Sequence, residues 1–417
     1  MSLSLIQQRL ATVRAGGVAR GQQVLLFTTV IVAAAVFLQR LSLPAGGKAI
    51  NIVGPIGLGF AAVGLWRGSL RFSQVRLFLF VLLCMLALLG MAYHEIHPGR
   101  FQIGSSLQSL MQFLVLTSFA TLSFTEPVPE REFMRRVTAV LSLVAIAGIV
   151  QFAVQLAGLR LFSFRGIVPD AFLFEDGYNL QIPVGFGDLY KANGFFMLEP
   201  SIFSQIMAFA LMLEILVLKR TRILALFAGG LLLSMAGTGW IVLAAFVATV
   251  AFSMGRRGIV VSVVTLAVLG LLAAAVGVLA PDITAAFTGR LDEVVRPSTS
   301  GHLRFITPFW LLNDVLTQEP AAALFGIGGG ASEKLTMPYD YTVNTPVKIA
   351  LEYGLPALAA YVALFAAGRK TATQRAILAP GLVLLLFTGG YQQFPPMLFP
   401  VLLVMSVANL RPDDAPR

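Results

Sequence analysis

Two kinds of side chain stand out against an otherwise apolar chain: a carboxylate at a helix start and a scatter of basic groups in two polar loops. Glu199 is followed by Pro200 and Ser201. Proline suits the first helical position and a negative charge there is favoured by the helix dipole, so a plain helix start accounts for the triplet. An ionisable group at the edge of an apolar run is also costly and tends to face a cavity. There a carboxylate can take the proton of a reacting hydroxyl. Arg290, Arg296 and Arg304 in one loop, with Arg160, Arg165 and Lys191 in the other, form a basic set. A guanidinium grips phosphate oxygens through two donors, so two or three of them suit a diphosphate. For any single arginine the plainer account is a solvated side chain beside acids such as Asp292 and Glu293.

His302, two residues before Arg304, is a second candidate base, against the commoner role of polar surface. His94 and His97 share a short H-E-I-H stretch that matches no zinc spacing, so no metal is expected. Trp310 and Asn344 are further candidates for holding a substrate. Lys348 and Glu352, four apart, are expected to pair along a helix and line a cavity. The run Gly326, Gly328, Gly329 and Gly330 has no following Lys-Ser or Lys-Thr and is no phosphate loop; it predicts a tight or flexible connection.

The elements that must position these groups are membrane spans. Of the 417 residues 57% are hydrophobic and only 12% charged. A soluble chain carries roughly a quarter charged residues. Apolar runs long enough to cross a bilayer recur at 24–43, 49–66, 76–94, 103–124, 134–157, 200–218, 222–236, 238–254, 258–280, 346–366, 376–390 and 396–410. The seventh and eighth are expected to join through a tight turn around Gly237 and Gly239. The fold class is therefore all-α, a polytopic membrane protein of about 12 helices, with 1–417 a single domain. The net charge of +10 lies mostly in short loops, 19 of the 30 basic residues falling on one side. That follows the positive-inside rule rather than a nucleic-acid surface, and puts both termini in the cytoplasm. It leaves 158–199 and 281–345 as two long periplasmic loops. In the second, Leu303, Ile306, Trp310, Leu311 and Val315 recur at helical spacing, predicting an amphipathic interfacial helix over 303–317 that lies on the membrane surface or packs on the bundle.

Three stretches carry a resemblance. They are 193–201 (NGFFMLEPS), 300–310 (SGHLRFITPFW) followed by 324–330 (LFGIGGG), and 344–358 (NTPVKIALEYGLPAL). Together with the span pattern they resemble the O-antigen ligase and O-antigen or exopolysaccharide polymerase family of bacterial inner-membrane proteins. The resemblance implies a GT-C-like helical membrane glycosyltransferase that needs no cofactor. Its outward-facing site would move glycan from an undecaprenyl-diphosphate-linked oligosaccharide to an acceptor hydroxyl, with arginines on the diphosphate. Arg304 matches the arginine that precedes the tryptophan in the family's long loop. Ligases of the family share a histidine just before the position of Asn344, where this chain has Val343. That departure, with Glu-Pro-Ser at 199–201, favours a repeat-unit polymerase over an O-antigen ligase acting on lipid A core. Glu199 is the leading base, with His302 behind it. Other expected partners are membrane lipids and further polysaccharide export or chain-length proteins. A lipid-linked glycan flippase is the rival of another class. It would place its charges at mid-membrane, whereas these gather at the outer edge.

Overall fold

The computed structural model describes residues 21–45, 48–97, 99, 101, 106–161, 164–174, 182–184, 188–279, 296–368, 372–387 and 409–411. Helix α1 (Gly21–Phe37) leads into an antiparallel pair of short strands, β1 (Ser42–Ala45) and β2 (Lys48–Asn51). There follow α2 (Val53–Trp66), β3 (Leu70–Phe72), α3 (Gln74–Ile96) and α4 (Leu107–Ser118), and then β4 (Leu122–Phe124) pairs back on β3. β5 (Val128–Pro129) opens α5 (Glu130–Gln155), whose first turn carries Glu130 and Glu132 at the positive end of the dipole. α6 (Pro200–Leu213) runs into a π-helical turn over Glu214–Leu218. α7 (Thr221–Ser234), α8 (Gly237–Ser253) and α9 (Gly255–Leu279) complete that half. Beyond come α10 (Ser300–Phe305), α11 (Thr307–Gln318), α12 (Ala322–Phe325), α13 (Thr345–Tyr353), α14 (Leu355–Ala366) and α15 (Ala372–Phe387). β6 (Leu410–Arg411) closes on β5 in parallel.

α6 is the core. All of its residues but Ser201 are buried, against α5, α7, α8 and α15. A helix apolar all round belongs in the middle of a bundle. Its Phe203 lies over Gly148 of α5, where a Cβ would come within 2.4 Å of the ring. α3, α5 and α6 with its π turn, at 23, 26 and 19 residues, are each long and apolar enough to cross a membrane. The apolar helices α1, α2, α4, α7, α8 and α14 are shorter. The expected span at 396–410 lies almost wholly outside the described residues, as do 281–295 of the second long loop.

Four expectations need correction. The short strand pairs are small additions to an otherwise helical protein. The turn between α7 and α8 falls at Met235, with φ +45°, and Ala236; Gly237 already opens α8. The helix expected over 303–317 is two, broken at Ile306. Pro308 has no N–H to give the carbonyl of Arg304 four residues back, so the first helix ends there. Of the two placements expected for that stripe, the α11 part takes the packed one. Leu311 and Val315 are fully buried in a satellite core with Ile327, Val347 and Leu351. Lastly, the span expected at 346–366 is divided at Gly354, ahead of Pro356, into α13 and α14.

At that division Gly354 has φ +88°, and an added Cβ would stand 2.2 Å from the carbonyl oxygen of Leu324. Such a conformation costs any other residue about 1–3 kcal/mol before the clash is counted. Gly354→Ala should therefore lower the unfolding temperature in detergent and reduce the amount of folded protein. Gly59→Ala in α2, where a Cβ meets nothing within 4 Å, should leave both unchanged or improved.

Candidate functional site

The chain leading to Glu199 is held from two sides. On α5, Gln151 and Gln155 are one turn apart and point the same way. Gln151 Nε2 donates to Asn193 Oδ1 at 2.8 Å and its Oε1 accepts the Asn193 N–H at 3.0 Å. Gln155 does the same for Tyr190, accepting its N–H at 2.8 Å and donating to its carbonyl at 3.2 Å. Gly194 and Phe195, with φ +67° and +62°, then turn the chain sharply. From α1's end, the Arg40 guanidinium donates to the Met197 carbonyl, and Gln39 Oε1 accepts the Leu198 N–H at 3.2 Å. Both of these side chains are fully buried.

Glu199 emerges as the N-cap of α6 in extended conformation, yet its side chain makes no capping bond. The carboxylate turns to the other loop instead. Its Oε2 accepts the Ser201 hydroxyl at 2.7 Å and lies 3.8 Å from Arg304 Nη2. Its Oε1 has no partner among the described residues. The Glu199 and Arg304 side chains are 24% and 42% exposed, so the pair lies at the surface of the protein. An ion pair this open contributes little to stability. Arg304 is placed by its backbone. The carbonyl that Pro308 leaves unused accepts Asn344 Nδ2 at 3.3 Å, while Asn344 Oδ1 caps α13 on the Val347 N–H at 3.1 Å. One asparagine thus ties the arginine's helix to the start of the next.

His302 lies in α10 rather than in a loop and is buried, with Nδ1 lacking a partner among the described residues. Its ring meets the edge of Trp310 at 5.1 Å between centroids. Lys348 is 3% exposed; it pairs with Glu352 at 3.3 Å, as the spacing predicts, and also with Glu333. Ser332 donates a further bond to Glu352. The buried ammonium faces the buried Glu352 carboxylate and the exposed Glu333 carboxylate, an arrangement that ties α13 to the 331–333 turn.

The remaining basic groups stand on separate turns. The exposed Arg160 has its guanidinium 5.2 Å from the centre of the Tyr190 ring, and Arg165 sits in an exposed turn bridged to Val168. Lys191 is buried in the first loop, its N–H bonded to the Ile182 carbonyl at 2.9 Å. Arg296 is exposed, and its carbonyl accepts the Thr299 hydroxyl at 2.7 Å. Arg290 lies outside the described residues.

The positioning groups Gln39, Arg40, Gln151 and Gln155 were not among the candidates from sequence. Two signals pointed to them. Arg40 is a basic residue at the span end that the charge count assigns to the outer face, against the charge rule. Gln151 and Gln155 are amides four apart in an apolar helix, and buried amides need partners.

No curated protein matches this chain. A family model described as WcaD colanic acid polymerase matches residues 26–387, which takes in the Glu199–Arg304 pair, its supports and every helix from most of α1 through α15. On that extent of agreement, the chain belongs to the WcaD colanic acid polymerase family.

Proposed function

We propose that this protein is a membrane glycosyltransferase that polymerises undecaprenyl-diphosphate-linked repeat units of an exopolysaccharide at the periplasmic face. Membership of the family supports a repeat-unit polymerase of exopolysaccharide synthesis. The carrying observation is the meeting of Glu199 and Arg304 at 3.8 Å, from loops far apart in the chain, with Glu199 left uninvolved in capping its helix. A hydroxyl oxygen of the incoming unit attacks the anomeric carbon of the growing glycan. The bond from that carbon to the diphosphate oxygen breaks, and the diphosphate leaves with the electron pair. Arg304 stabilises the charge that develops on the departing group. Glu199 takes the hydroxyl proton on its free oxygen. The step balances without a metal. Ser201 and the Asn344 bond hold the two groups in register. His302 stands beside Trp310, away from the carboxylate, and is assigned a packing role.

The test is purified protein in lipid bilayers with a lipid-diphosphate-linked repeat unit as the only substrate. A ladder of products on a gel is expected. Transfer of one glycan to lipid A core without a ladder would indicate a ligase, and movement of the intact substrate across the bilayer a transporter. Reporters fused after Arg257 or Arg375 should be cytoplasmic and one near Pro297 periplasmic; a cytoplasmic signal at Pro297 would invert the site and remove this mechanism.

A further inference from the structure

Trp310 is 49% exposed although Leu311, the next residue, is fully buried. Two rings stand against its indole. His302 lies at 5.1 Å and 75°, and Tyr339 at 6.0 Å and 85°, each in a T-shaped arrangement, and about half of the residue stays uncovered. Asp314 follows Trp310 by one helical turn on the same side of α11. The Tyr339 hydroxyl donates to Asp314 Oδ2 at 2.6 Å, locking phenol and carboxylate together at the platform's rim. Burial and then this bond push the Tyr339 hydroxyl above its ordinary range, so it stays a neutral donor. Asp314 Oδ1 and the Trp310 Nε1–H have no partner among the described residues. The lone pairs of the Tyr339 oxygen also remain able to accept.

A flat apolar surface ringed by a free donor and two acceptors matches a pyranose ring, which has an apolar face of C–H groups and hydroxyls around its edge. We propose that Trp310, Asp314 and Tyr339 form a saccharide subsite in which one sugar of the glycan stacks on the indole and gives a hydroxyl proton to Asp314. This rests on the proposed function, and it names what that site selects. The subsite's place agrees with the chemistry. His302 packs on Trp310 and lies two residues from Arg304 on α10. Trp310 follows Arg304 by six residues across the break at Ile306, a separation that a glycan of several sugars spans from a diphosphate held at Arg304. The competing occupant is the bilayer, because exposed aromatics such as Trp310 and the neighbouring Phe309 also mark membrane interfaces. A carboxylate at the rim argues for the sugar: it repels anionic headgroups, whereas a hydroxyl-rich ring uses it as an acceptor.

The chain has three tryptophans, so Trp66→Phe with Trp240→Phe leaves Trp310 as the sole reporter of its own surroundings. Three probes are added separately to this protein in nanodiscs. They are the free oligosaccharide released by mild acid from the polymer of the cell that makes the protein, inorganic diphosphate, and brominated phosphatidylglycerol. A saturable emission change with the oligosaccharide, and none with diphosphate, is expected. An equal response to diphosphate would place Trp310 at the charged end and overturn the subsite. Silence to the oligosaccharide with strong quenching by brominated lipid would make Trp310 a membrane anchor and also overturn it. In turnover, Trp310→Ala should raise KM for lipid-linked units about tenfold with kcat within about twofold, and Trp310→Phe should recover most of it, since stacking needs an aromatic face. An unchanged KM in Trp310→Ala sinks the idea. If the unaltered protein makes no polymer, the polymerase assignment fails instead, and the oligosaccharide titration still decides the subsite on its own.

Discussion

Glu199→Gln is expected to cut the initial rate of polymer formation by about 10²–10⁴-fold, the usual contribution of a proton-transferring group. Glutamine keeps the shape and can still accept the Ser201 hydroxyl bond, so the start of α6 should survive intact. Because the side chain does not cap its helix, no loss of stability is expected, and the unfolding temperature serves as the control. Binding of the lipid-linked donor should stay close to normal. His302→Ala should change the rate much less, because its ring is buried against Trp310 and has no contact with the Glu199 carboxylate. The opposite ranking, with His302→Ala crippling and Glu199→Gln mild, would move the base to His302. Glu199 would then be no more than a favourable residue at the start of a helix.

Arg304→Ala should lower the rate by at least about 10²-fold, the scale on which single groups that stabilise a developing charge are lost. In cells this means no detectable polymer at normal protein level in the membrane. Arg304→Lys should restore little. A compact ammonium cannot offer the paired donors that match phosphate oxygens, although it keeps the charge. The backbone carbonyl that Asn344 holds is present in both variants, so the helix stays in place and the deficit reports the side chain. Full activity in Arg304→Ala would leave the diphosphate without its proposed partner.

The two ends of this pair were legible in the sequence because each breaks a local pattern: an acid at the margin of an apolar run, and an arginine in a stretch with a family likeness. That they touch was not legible, since nothing in spacing relates residue 199 to residue 304. Lys348 pairs with Glu352 as their spacing says, for four residues on a helix is a local rule. Its second carboxylate, Glu333, comes from another segment and was invisible for that reason. The helix over 303–317 differs from its expectation only in its continuity, and the cue is local. Pro308 sits inside the apolar stripe, where periodicity says nothing of the missing donor. Spans α3, α5 and α6 were plain from composition. The amides that hold the Glu199 loop were legible only as polar oddities, because a buried amide advertises a partner without naming it.

Gly354 ends α13 and Pro356 cannot donate, so the carbonyls of Leu351 and Glu352 lose their helical partners. The N–H groups of Ile327 and Gly328 take them, at 2.6 and 3.2 Å. A buried backbone acceptor left bare costs about 1–3 kcal/mol. The glycine run and the broken helix are thus one joint made in two places. Anyone exchanging this region between relatives, to graft one protein's specificity onto another's scaffold, must cut outside this joint. A graft that takes the run around Gly326 but leaves Gly354 behind would join halves shaped for different partners. Moved together, residues 324–356 carry their own seal.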